Sequence, residues 1–123
     1  MAISKTTIEP QLFNVFLVSQ IAPDTFLEGV AGLDYIRIEP NLTSELHRHN
    51  HSVNIVFIIR GIAEVFLENS YHAIRPGVRI VIPREVPHGF RTTNEALEFF
   101  SIQVPPILDK KNRLFDRDIL PFP

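Results

Sequence analysis

Short apolar runs, each closed by proline, glycine or asparagine, follow one another along this chain, and none keeps a helical period beyond two turns. That pattern limits the fold more than any other feature. Proline fixes φ and has no N–H, so it ends a β ladder rather than sitting inside one. The 123 residues include 10 prolines. Residues 11–19 (QLFNVFLVS) form one strand-like run that stops before Pro23-Asp24, and 33–39 (LDYIRIE) stop at Pro40-Asn41. Runs at 43–49, 53–60, 62–68, 71–75 and 78–82 follow, separated by a His/Asn/Ser turn, Gly61, Asn69-Ser70 and Pro76-Gly77. Residues 88–92 and 96–104 complete the set before Pro105-Pro106. Many short strands at regular spacing predict an all-β sandwich or barrel. Residues 1–10 are expected to be loose. Residues 107–120 (ILDKKNRLFDRDIL) are the best helical candidate, and 113–123 are expected to fold back over a barrel mouth or onto a partner subunit.

Composition narrows the function. The length suits one domain over residues 1–123, burying roughly two thirds of its unfolded surface. A formal charge of −2 offers no field for nucleic acid or anionic lipid. No apolar run approaches the roughly 20 residues that span a bilayer, so no membrane partner is expected. The N-terminal residues lack an apolar export core, and a cytoplasmic location is the expectation. There is no cysteine, so any metal is held by nitrogen and oxygen.

The run VNIVFIIR adds a constraint. Strand side chains alternate, so Val53, Ile55, Phe57 and Ile59 face one way and Asn54, Val56 and Ile58 the other. Both faces are apolar, yet a barrel interior buries one. The other must be covered, which predicts a homodimer or higher oligomer.

Three of the five histidines, His47, His49 and His51, fall within five residues. On an extended strand His47 and His49 project from one face, about 6–7 Å apart along the chain. Their ring nitrogens can converge on an ion at roughly 2.0–2.2 Å. His51 shares that parity but sits in the turn, as a rim residue with a second-sphere or proton-shuttling role open to it. His72 has no partner in sequence and is expected at the surface. His88 follows Pro83 and Pro87, on a segment with a stiffened start.

These residues resemble the two motifs of the cupin superfamily, small jelly-roll barrels also described as double-stranded β-helices. The first motif, G-x5-H-x-H-x(3,4)-E-x6-G, is matched by His47, His49, Asn54 and Gly61. Asn41 stands at its leading glycine, and Asn54 replaces its glutamate. The second, G-x5-P-x-G-x2-H-x3-N, is matched by Gly77, Pro83 and His88, with Glu85 in place of the second glycine and Thr92 in place of asparagine. The likeness covers residues 33–104 and implies a small jelly-roll barrel with a short C-terminal tail.

It further implies that His47, His49 and His88 hold one divalent transition metal per chain, of Fe, Ni, Zn, Cu or Mn type. Asn54 is either a fourth ligand or a hydrogen-bonding substitute for one. Three neutral imidazoles and an amide leave the ion its full charge, which disfavours Mn²⁺ relative to Fe²⁺, Ni²⁺, Cu²⁺ or Zn²⁺. Family members with three histidines and no glutamate include oxygenases, and others with an amide here include enzymes of uronate metabolism. Phe90 is a candidate wall residue, with Val56, Ile58, Val65, Leu67, Ile80 and Ile82 as further lining. Arg37 and Gln103 are candidate substrate-binding groups whose facing the sequence does not fix. Glu45 shares the parity of His47 and is a candidate base or orienter; His51 is the other catalytic candidate. Two functional classes follow. One is a mononuclear metal enzyme acting on a small polar organic molecule by dioxygenation, isomerisation or elimination. The other is a non-catalytic cupin that binds or senses a sugar or other small molecule.

Overall fold

The computed structural model describes residues 3–109 and 114–123. Among them the chain forms strands β1 (Gln11–Phe13), β2 (Phe16–Gln20), β3 (Gly32–Ile38), β4 (Leu46–Arg48), β5 (Val53–Arg60), β6 (Ala63–Leu67) and β7 (Ser70–Ile74). Then come β8 (Arg79–Ile82), β9 (Gly89–Thr92), β10 (Leu97–Val104), β11 (Leu108–Asp109), β12 (Leu114–Phe115) and β13 (Asp118–Leu120). No described residue is helical. The expected all-β class is what the chain adopts.

Two sheets face each other. One has the order β1-β2-β3-β10-β5-β8, and the other is built on β7-β6-β9. The second sheet continues through paired residues: Thr43 bridges Arg91, His47 bridges His88, and β13 pairs with β4. Every strand pair among the described residues is antiparallel. Inward residues of both sheets form the core, with Ile38, Val56, Ile58, Val65, Leu97 and Phe99 almost fully enclosed. β5 divides as its alternation requires: Asn54, Val56 and Ile58 are buried, while Ile55, Phe57 and Ile59 face outward.

Two sequence expectations are corrected. Residues 11–19 are a hairpin rather than one strand, because Asn14 takes φ 54° and turns the chain between Phe13 and Phe16. Asparagine enters the left-handed region at lower cost than most residues. The helix expected at 107–120 is replaced by short strands on the described residues, with 110–113 lying outside them. Its periodicity was misleading because the backbone of its described residues pairs between strands, β11 with β12 and β13 with β4.

The motif positions have backbone reasons. Gly61 lies at φ 95°, where an added Cβ would collide with the Ala96 carbonyl. The two positions that lost glycine keep its conformation, with Asn41 at φ 58° and Glu85 at φ 65°. Glu85 also donates its N–H to the His49 carbonyl at 2.7 Å, so the strained turn is tied to the site. A left-handed residue with a Cβ costs about 1–2 kcal/mol. Glu85→Gly should therefore stabilise the protein by about 1 kcal/mol, raising Tm by about 3–6 °C in a thermal melt. A lower Tm would contradict this account of the turn.

Candidate metal centre

His47 and His88 meet because their strands pair through them. His47 N–H donates to the His88 carbonyl at 3.0 Å and His88 N–H to the His47 carbonyl at 2.8 Å. Directly opposed antiparallel residues project from the same face. Their rings lie 4.3 Å apart, and His49 brings its ring to 5.1 Å from His47 and 5.0 Å from His88. All three are buried.

The orientation of each ring is fixed by a backbone carbonyl. Nδ1 of His47 contacts the Glu45 carbonyl at 3.2 Å, that of His88 the Val86 carbonyl at 3.0 Å, and that of His49 the Asp116 carbonyl at 2.7 Å. A carbonyl only accepts, so each Nδ1 carries the hydrogen and donates it. The Nε2 lone pairs are left free, and one ring nitrogen from each histidine lies within 4.8 Å of the others. Three lone pairs converging in a buried site fit a divalent transition ion. Among the described residues no hydrogen bond involves the three Nε2 atoms.

The same burial keeps the rings neutral. Desolvation pushes His47 down to about 4, helped by neighbouring His49; desolvation also lowers His49, and it carries His88 well below the ordinary histidine value. Neutral imidazole is the form that binds metal.

The opposite wall comes from the other sheet. Asn54 Oδ1 accepts from Ser101 Oγ at 2.7 Å, Gln103 Nε2 donates to Ser101 Oγ at 2.8 Å, and Gln103 Nε2 also donates to Asp34 Oδ2 at 2.9 Å. All four residues are buried. A cavity of about 80 Å³ separates this polar row from the histidines. Its remaining lining is largely apolar, with the rings of Phe13, Phe16, Phe90, Phe99 and Phe115 set among aliphatic side chains.

The C-terminal segment closes the mouth, as the folding-back expectation requires. Phe115 packs on Phe13, with ring centroids 5.6 Å apart, and Arg117 lines the cavity. Asp116 accepts the backbone N–H groups of Asn50, His51 and Ser52 at 2.8–2.9 Å, fixing the turn that carries His49.

The candidate residues therefore separate. His47, His49, His88, Asn54, Phe90 and Gln103 share one cavity, with Val56 as lining. Ile58, Val65, Ile80 and Ile82 lie in the core, and Leu67 packs against it. Arg37 lies on the outer face of β3, paired with Glu39 and Glu98. Glu45 is outside the cavity lining and pairs with Arg117 at 2.6 Å. His51 is exposed on the turn, and His72 is exposed with its Nε2 near the Leu67 carbonyl. Asp34, Ser101 and Arg117 are cavity residues that sequence reasoning did not single out. For Asp34 the signal was its register opposite Ser101 in the paired strand, which the sequence alone does not reveal.

The Cupin domain family model matches residues 34–103. The chain belongs to the cupin family. Among curated proteins, this cupin is 33% identical over 67 residues to Protein SchB of Streptomyces halstedii, covering 54% of this chain and 47% of that protein. The chain thus spans about half the length of the curated relative it matches. Solved structures share the fold. The polyketide cyclase RemF of Streptomyces resistomycificus superposes with TM-score 0.72 at 18% identity, over 85% of this chain and 78% of that one. A predicted oxalate decarboxylase of Thermotoga maritima gives 0.73 at 17%, over 85% and 99%.

The neutral buried histidines set a pH dependence for the metal-free cupin. Their folded values lie below the unfolded one of about 6.5, so their contribution to stability is complete above that pH and is lost as pH falls below it. Asp34 acts in the opposite sense: burial raises it to about 6, and it weakens the fold as pH rises through that value. Three histidines outweigh one aspartate. Denaturant midpoints of metal-free protein should fall between pH 7 and pH 5, and fall more steeply in Asp34→Asn. A flat profile would contradict the assignment of neutral rings.

Proposed function

We propose that this cupin is a mononuclear metal enzyme in which His47, His49 and His88 hold one divalent transition ion. The observation that carries the reading is the set of three Nδ1 contacts to carbonyls, which leaves three Nε2 atoms converging in a buried cavity. When bound, the ion supplies Lewis-acid polarisation of a ligand oxygen. Asn54 stands beside it as a neutral group already bonded to Ser101, so the ion keeps most of its charge.

The rest of the cavity selects the ligand. Five phenylalanines favour a small polar molecule that also carries an apolar portion. The polar row of Asn54, Ser101 and Gln103 offers hydrogen bonds along one side, and Arg117 brings positive charge near the mouth. A small carbonyl or carboxyl compound with an apolar portion suits this lining. The reaction class is isomerase, lyase or dioxygenase, in keeping with relatives described as a polyketide cyclase and a predicted oxalate decarboxylase.

Metal titration of untagged protein tests the reading. About one equivalent of Ni²⁺ or Zn²⁺ per chain should bind, adding about 2.7 kcal/mol of stability at 100 times Kd. His88→Ala should abolish both effects. Less than a tenth of an equivalent, with no thermal shift, would sink the metal reading. Small-molecule affinity that survives in His88→Ala would instead favour a non-catalytic binding cupin.

The outward face of the larger sheet supports a homodimer. Val81, Ile55 and Ile102 form one row across paired strands, and Phe57 and Phe100 begin the next. Each is 37–53% exposed. Contiguous apolar area of this kind marks an interaction surface, and a second copy of the chain buries the same rows on both sides. Light scattering at micromolar concentration should give a dimer for wild type and a monomer for Phe57→Asp. A wild-type monomer would remove the proposal.

A further inference from the structure

The cavity wall holds one carboxyl whose presence the metal site does not explain. Asp34 is the only carboxylate among the described residues lining the histidine cavity, and it is buried there without a cationic partner in hydrogen-bond reach. Its Oδ2 accepts from Gln103, and among the described residues no hydrogen bond involves Oδ1. Burying an ionisable group this way is costly, and groups so placed in a cleft cluster at functional sites.

Its position suggests the use. A second cavity, of about 460 Å³, lies behind the first and is lined in part by Asp24, Glu28, Gly29 and Gln20. Asp34, Gln103 and Leu108 line both cavities. Of these three, Asp34 alone titrates. The second cavity is large and polar enough for water, whereas the first is small and mostly apolar. Gln103 is held in the dividing wall by its bonds to Ser101 and by the Ile107 N–H, which reaches its Oε1 at 3.4 Å. It packs where a Cβ on Gly32 would not fit. The wall therefore fixes the carboxyl between a ligand site and a space large enough to hold water.

We propose that Asp34 is the proton-transfer group of the cavity, facing the ligand on one side and exchanging its proton with water of the second cavity on the other. The inference rests on reading the histidine cavity as the ligand site. In an isomerisation the carboxylate takes a proton from the carbon beside a ligand carbonyl. The C–H electron pair becomes the C=C bond, and the carbonyl π pair moves onto oxygen. Where the ligand carries a β,γ double bond, the Asp34 acid returns the proton to the γ carbon and the double bond moves into conjugation. The oxygen pair re-forms the carbonyl, and the group is regenerated with no further reactant. The acid form exchanges with water between these steps, so hydrogen from solvent enters the product.

Both protonation states are accessible near neutrality. Burial raises the Asp34 carboxyl to about 6, against the lowering effect of the Gln103 bond. The titratable and charged groups facing it are Asp24, Glu28 and Asp109 across the second cavity, and His47, His49, His88 and Arg117 across the first. A value near 6 suits general acid–base work at neutral pH.

The test has two arms. In metal-free protein, ¹³C NMR of carboxyl-labelled aspartate should show a signal that titrates near pH 6 and is missing in Asp34→Asn. A midpoint below 4.5 overturns the proposal whether or not metal binds. In D₂O with Zn²⁺-loaded protein, pyruvate serves as the probe, and deuterium entering its methyl group is followed by ¹H NMR. Asp34→Asn keeps an acceptor for Gln103 and removes the buried charge. At neutral pH metal content should therefore stay near wild type and Tm should not fall, while exchange falls at least about 100-fold. Asp34→Glu should restore part of it. Equal rates in wild type and Asp34→Asn, or no wild-type exchange above a free Zn²⁺ control, overturn the proposal. Failure of the metal reading itself is seen separately, as absent Zn²⁺ binding, and leaves the NMR arm to decide on Asp34.

Discussion

Three backbone carbonyls, those of Glu45, Val86 and Asp116, determine what this barrel can do. Each takes the Nδ1 hydrogen of a buried histidine and turns its Nε2 toward a common point. Those carbonyls come from three separate stretches of chain, so the site exists only when the stretches are assembled. The His47–His88 bridge joins two of them. The third depends on the C-terminal segment, where Asp116 both receives the His49 ring and binds the turn at 50–52. Removing that segment would free the ring of His49 as well as open the mouth.

The two sheets contribute different chemistry. The smaller one supplies basic nitrogen lone pairs, and the larger one supplies a neutral hydrogen-bonded row ending in Asp34. Asparagine at position 54 belongs to that row, because its oxygen accepts from Ser101. A carboxylate there would bring a negative charge against three neutral rings and lower the charge of a bound ion. With an amide, the acidic function lies at the far end of the row, beside the second cavity. Metal charge and proton transfer are thereby kept apart in space.

Much of this was legible in the sequence, for reasons that differ by residue. His47, His49 and His88 could be grouped because strand parity and family spacing fix them together, and β5 announced its two apolar faces through alternation. Asn14 concealed a turn because one left-handed residue interrupts a strand without altering its apolar composition. Residues 107–120 carried a weak helical period, yet interstrand pairing claimed the backbone of the described residues at Leu108–Asp109, Leu114–Phe115 and Asp118–Leu120. Arg37 and Asp34 show the limit most clearly. They lie three apart on one strand with apolar neighbours on both faces, so parity alone does not say which enters the barrel. The pairing of β3 with β10 decides it: Asp34 enters, opposite Ser101, and Arg37 stays outside.

The central claim is that the carbonyl-held imidazoles are a metal centre. X-ray absorption at the metal edge of Ni²⁺- or Zn²⁺-loaded protein addresses it directly, because imidazole ligands give a characteristic multiple-scattering pattern. The account predicts three imidazole nitrogens at about 2.0–2.2 Å, with oxygen donors completing the sphere. A spectrum with one imidazole or none, from metal bound at full stoichiometry, would contradict it.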